Sequence, residues 1–160
     1  MIFKNILMFT FIILFGESFC QSTLPEQNNV REKYKDSLEK VIATIKVGKM
    51  PKIKAIEYCI PETSDEYLLF FSFDYQKDNS KAFDDLNNHI LQSATNGNKP
   101  ILKKYLAMSQ FVDGYFAESY FDNINGIIKK QKDLFCKSIN EMPKGKIKRL
   151  SEYSVQASCH

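Results

Sequence analysis

Tryptophan is absent from this chain of 160 residues, and histidine occurs only twice. An aromatic sugar-binding platform therefore lacks its usual ring. One histidine is the C-terminal His160, which leaves His89 to serve any histidine-dependent mechanism. His89 stands among Asn87, Asn88 and Ile90, on the polar side of an expected helix, and reads as a solvated surface residue. No G-x-S-x-G, H-E-x-x-H or P-loop pattern occurs. Six glycines and five prolines exclude collagen-like repetition. An excess of one charge is missing as well: 22 Lys and Arg stand against 19 Asp and Glu, and a net +3 is too weak to mark a nucleic-acid partner. What is present, 44% hydrophobic and 26% charged residues, is the mixture of one ordinary globular domain.

Long hydrophobic runs are also scarce. The longest, Ile6–Phe15, is interrupted only by Thr10, follows the basic Lys4 and ends before Glu17. A membrane span needs roughly 20 apolar residues, about twice this length, so residues 1–20 read as an export signal. Ser18 and Cys20 satisfy the preference for small residues before a cleavage site, which would leave Gln21 as the new N-terminus. The alternative, lipidation of Cys20, has Phe19 and Glu17 in the places where a small and an aliphatic residue are expected. The protein is expected to be exported, periplasmic or secreted, with a lipid anchor through Cys20 as the lesser reading. The basic tail and the connector KVGKMPKIK at 46–54 read first as solubilising surface, with contact to an anionic surface (lipid headgroups, acidic polymer or an acidic protein) as the lesser alternative. Removing Cys20 leaves Cys59, Cys136 and Cys159. In an oxidising compartment one bridge is expected, between Cys59 and Cys136, because both lie in segments that read as ordered while Cys159 is next to last in the chain.

Residues 21–28 read as a flexible lead-in and 29–143 as the folded domain. Asn29 and Glu32 have capping-box spacing, and Val30, Tyr34, Leu38, Val41, Ile42 and Ile45 recur at helical intervals up to Gly48 and Pro51. Ala55–Ile60 is too short to classify. PETSDE is a helix start, but Tyr67–Tyr75 also alternates as a strand would; helix is preferred because no comparable partner strand exists. Further helices are expected from Phe83 to Ala94, from Pro100 to Val112, from Tyr115 to Lys130 and from Leu134 to Met142. The predicted fold class is all-α, a compact bundle or short stack of about five to six helices, with short loops that make neighbours antiparallel. The basic residues 144–160 read as a flexible tail.

Chemistry, if any, is expected in FVDGYFAESYFD at 111–122. Asp113 sits at a helix break, while Glu118 and Asp122 share a helix face beside Tyr115 and Tyr120. Two carboxylates near aromatic rings suit a glycoside-cleaving acid and base, so an envelope polysaccharide hydrolase using Asp113, Glu118 and Asp122 is the alternative reading. The bland reading has the phenylalanines in the core, Asp113 capping a helix and the other two acids in water. The scattered cysteines and histidines lack the paired spacing of a metal site, and no cofactor is expected. The leading expectation is a non-catalytic exported domain that binds a protein partner through Tyr115 and Tyr120.

Overall fold

A computed structural model describes residues 24–159; the side chains of 24–27 and of Tyr115 lie outside that description, as do the export signal, Cys20 and His160. The described residues contain no strand and are predominantly helical. Seven α-helices occur among them: α1 (Leu24–Lys46), α2 (Ile53–Tyr58), α3 (Ser64–Ser72), α4 (Ser80–Thr95), α5 (Lys99–Ala107), α6 (Tyr115–Glu141) and α7 (Ser151–Gln156). Short 3-10 segments follow α5 (Met108–Gln110) and α6 (Lys144–Leu150). Tyr34 to the C-terminus forms one compact unit, and the packing described here belongs to it.

Local chemistry starts and stops these helices much as expected. The Thr63 hydroxyl accepts the Glu66 N–H at 3.2 Å as the N-cap of α3, and the Glu66 carboxylate reaches back past it to accept the Glu62 N–H at 2.7 Å. The ambiguous run after it is helical through Ser72, because its buried residues are spaced by three: Tyr67, Phe70 and Phe73 face the core. Leu68 and Tyr75, which an alternating strand would set on opposite faces, are both open to solvent. Asn98 accepts the Ile101 N–H and Pro100 occupies the first turn of α5. The two helices expected after Tyr115 are a single run broken at Gln131, whose backbone leaves the helical region at φ −140°, ψ 45°.

Three expectations are corrected. Helix α1 begins at Leu24, inside the expected lead-in, and Val30 is exposed rather than apolar-packed. The bridge joins Cys136 to Cys159, with Cα atoms 4.9 Å apart, while Cys59 is a free, fully buried thiol; the Cys59–Cys136 pairing does not form. The expected flexible tail is instead a strap. Leu150 and Ala157 are buried, Arg149 donates to the Val112 carbonyl and lies 5.5 Å over the Phe121 ring, and Tyr153 stacks on Phe121 at 5.4 Å. A few well-placed apolar residues hold the strap despite its charge, and holding it brings Cys159 to Cys136.

The core is aromatic around α3 and α4. Phe70, with no exposed surface, meets Phe83 edge-on at 4.9 Å and Phe71 at 5.2 Å. Phe71 in turn lies 4.0 Å from Phe116 of α6. Lys99 and Lys103 of α5 both reach Glu141 at the end of α6, at 2.8 and 2.6 Å, and hold its carboxyl at about 2 through those hydrogen bonds. These pairs lie at the surface, so they orient the helix ends more than they stabilise the fold.

Candidate functional site

The three carboxylates singled out from the sequence are all exposed. Asp113 turns back on its own loop, its Oδ1 accepting the Gly114 N–H at 2.8 Å. The N-cap of α6 is Gly114 itself, at φ 57° and ψ −133°, a conformation open to glycine, so Asp113 does not cap that helix as expected. Glu118 and Asp122 lie on the solvent side of α6, and none of the three lines the groove beside Tyr120 or two other depressions of the surface.

Tyr120 is not a surface residue. It is 5% exposed, its hydroxyl donates to the carbonyls of Tyr105 at 2.8 Å and Leu106 at 3.3 Å, and its ring lies 5.1 Å from Tyr105. Those carbonyls belong to the last turn of α5, where backbone N–H groups of the cap also reach them, so the phenol adds a second donor to acceptors that have two lone pairs each. The phenol thus packs against a helix end, and the exposed interface tyrosine expected at Tyr120 is instead a buried one. Of Tyr115 only the backbone, at the first turn of α6, is described.

Beside this buried tyrosine lies a groove of about 400 Å³. Phe71, Phe83, Phe116, Tyr105 and Tyr120 supply aromatic walls, with Leu91, Met108 and Val112. Asp74 from the turn after α3, Asp84, Asn87 and Asn88 from α4, and Ser119 and Asn123 from α6 supply its polar groups. No Lys, Arg or His is among the lining residues, so the mouth is acidic although the chain is basic. Asp84, Asn87 and Asn88 share one face of α4 by their spacing of three and four, and Ser119 and Asn123 do so on α6. That recurrence of short hydrogen-bonding side chains was the available sequence signal; read as ordinary solvated helix surface, it conceals the site.

Two other depressions have different character. One, of about 230 Å³, is bordered by Lys103, Lys104, Glu62 and Glu141, whose charges are already paired, Lys104 with Glu62 at 2.6 Å. The other lies beside the Cys136–Cys159 bridge. Among the described residues no group of three or more His, Cys, Asp or Glu is arranged to hold a metal ion.

Burial controls the titration of the interior. The Tyr34 hydroxyl donates to the Cys59 carbonyl at 2.7 Å, and desolvation pushes Tyr34 far above its ordinary value, Cys59 up to about 12 and Tyr105 up to about 12. Each group has a higher pKa folded than unfolded, so the stability tied to keeping it neutral is complete below the unfolded values of 9.0 for Cys and 10.0 for Tyr. It is lost as pH rises toward about 12. Alkaline titration followed by circular dichroism is expected to show cooperative loss of helix between pH 9 and 12. Full helicity at the upper limit contradicts this reading.

Comparison of the chain with protein-family models, with curated proteins and with solved structures finds no match.

Proposed function

We propose that this is an exported, non-catalytic helical domain, periplasmic or secreted, whose sequential helices pack antiparallel and which binds a protein segment in the groove between α3, α4 and α6. The observation that carries the reading is the composition of that groove: an aromatic floor under an acidic, amide-rich rim. Such a site suits an apolar or aromatic side chain inserted from an extended segment. Asn87, Asn88, Ser119 and Asn123 can pair with that segment's backbone, and Asp74 and Asp84 favour a neighbouring Lys or Arg. Tyr105 and Tyr120 contribute from beneath, as walls. The Cys136–Cys159 pair and the absence of a membrane-crossing helix among the described residues are compatible with export. The polysaccharide hydrolase reading has nothing in its favour here, since Asp113, Glu118 and Asp122 stand in solvent outside the groove.

Selection of displayed random peptides against the protein, with Asp84→Lys as the counter-target, tests the proposal. Asp84 is exposed, so its reversal leaves the fold intact. The expected result is enrichment of peptides that place an aromatic or aliphatic residue beside a basic one and that bind the variant at least tenfold more weakly, about the effect of one close charge pair replaced by repulsion. Enriched peptides that bind both proteins alike would overturn it.

A further inference from the structure

The loop between α1 and α2 combines two features that occur apart elsewhere in the molecule. Lys46, Lys49, Lys52 and Lys54 are all exposed, and no acidic residue lies among them. Between them Val47, Met50 and Ile53 are also exposed, by 68%, 66% and 46%. The C-terminal strap is comparably basic, but its Leu150 is buried, its Ile147 is packed against the core, and Val155 alone of its large apolar residues is strongly exposed, six positions beyond the last basic residue, so it does not interleave charge with an apolar cluster.

The loop is also built rather than loose. The Gly48 N–H donates to the Ile45 carbonyl at 2.8 Å and the Lys49 N–H to the Thr44 carbonyl at 3.1 Å, the paired bonds of a helix-ending motif that needs the positive φ of 73° at Gly48. Pro51 is buried and pins the following turn, and Lys46 donates to the Asn79 side chain at 3.1 Å. Val47 and Met50 are therefore held outward by the backbone, where they stay largely exposed among the described residues. An isolated exposed apolar residue is ordinary; three within residues 46–54, interleaved with four lysines and no acidic residue, are not.

We propose that this loop docks the protein onto an anionic lipid surface, with Val47, Met50 and Ile53 entering the headgroup region and the four lysines contacting lipid phosphates and acidic headgroups. Charge complementarity selects the surface, and shallow insertion of the apolar tip follows the logic of interfacial anchors. The groove lies on other elements and is not part of this claim.

The chain's lack of tryptophan makes the test direct, because Met50→Trp places a single fluorescent reporter at the tip. With vesicles of phosphatidylcholine and phosphatidylglycerol at low salt, co-sedimentation and a blue shift of that variant's indole emission are expected; with phosphatidylcholine alone, neither is. Each lysine near such a surface contributes roughly a fivefold factor, so Lys49→Gln, Lys52→Gln and Lys54→Gln together are expected to weaken vesicle binding about a hundredfold. These variants share the wild-type N-terminal segment, so whatever that segment adds is common to all. Equal binding to both vesicle types, unweakened binding by the triple variant, or an unshifted emission would each overturn the proposal, the last even if the triple variant failed to fold. Binding to an acidic protein but not to anionic vesicles would overturn it as well.

Discussion

Phe70→Ala is expected to cost about 3 to 5 kcal/mol, a loss that would leave little of the stability of a domain of this size. Phe70 has no exposed surface, and the rings it touches, Phe71 and Phe83, are themselves walls of the groove. Removing it therefore opens a cavity behind the binding surface and frees those two rings to tilt inward. Urea denaturation measures the first effect, and the affinity of a groove-selected peptide, measured on whatever fraction stays folded, measures the second. Leu68, on the same helix but 67% exposed, is the control: Leu68→Ala is expected to stay within about 0.5 kcal/mol of wild type. A loss below about 1 kcal/mol at Phe70 would mean that α3 is not seated as described.

The second large effect is expected at the bridge. Cys136 and Cys159 are 23 residues apart, and closing a loop of that size restricts the unfolded chain by about 3.4 kcal/mol in the chain-entropy description. Cys136→Ser and Cys159→Ser are expected to lower stability by similar amounts. Reducing agent is expected to destabilise wild type but neither variant. Cys59→Ala, which touches no bridge, should retain the sensitivity to reductant. The strap reports the consequence: with Cys159 released, Tyr153 and Arg149 must hold Phe121 without a covalent tether, and proteolysis is expected to begin between Lys144 and Arg149. Peptide mapping that finds Cys59 in the disulfide would contradict both the strap and the buried thiol.

These cases show which parts of the molecule the sequence makes legible. Features set by a few consecutive residues are readable in advance: the stop at Gly48, the cap at Thr63, the start around Pro100, and the break near Gln131. Each depends on local dihedral preference or on a side chain reaching its own backbone. Features set by distant neighbours are not. Tyr120 has the composition of an interface residue, and only the end of α5, whose Tyr105 and Leu106 carbonyls accept its hydroxyl, makes it an interior one. Cys159 follows a stretch dominated by charge, and its pairing rests on Leu150, Tyr153 and Ala157 finding the core. The groove combines polar residues from the turn after α3, from α4 and from α6, and each segment alone reads as a solvated surface. The carboxylates that drew notice at Asp113, Glu118 and Asp122 are adjacent in sequence, which is a weaker guide to a site than convergence of residues from separate helices.

Mapping of a bound peptide tests the central claim, that recognition takes place in this groove, most directly. In amide-correlation NMR spectra titrated with a groove-selected peptide, the expected perturbations centre on Asn87, Asn88, Ser119 and Asn123 and are lost in Asp84→Lys. Perturbations centred instead on Asp113, Glu118 and Asp122, and persisting in that variant, would contradict it.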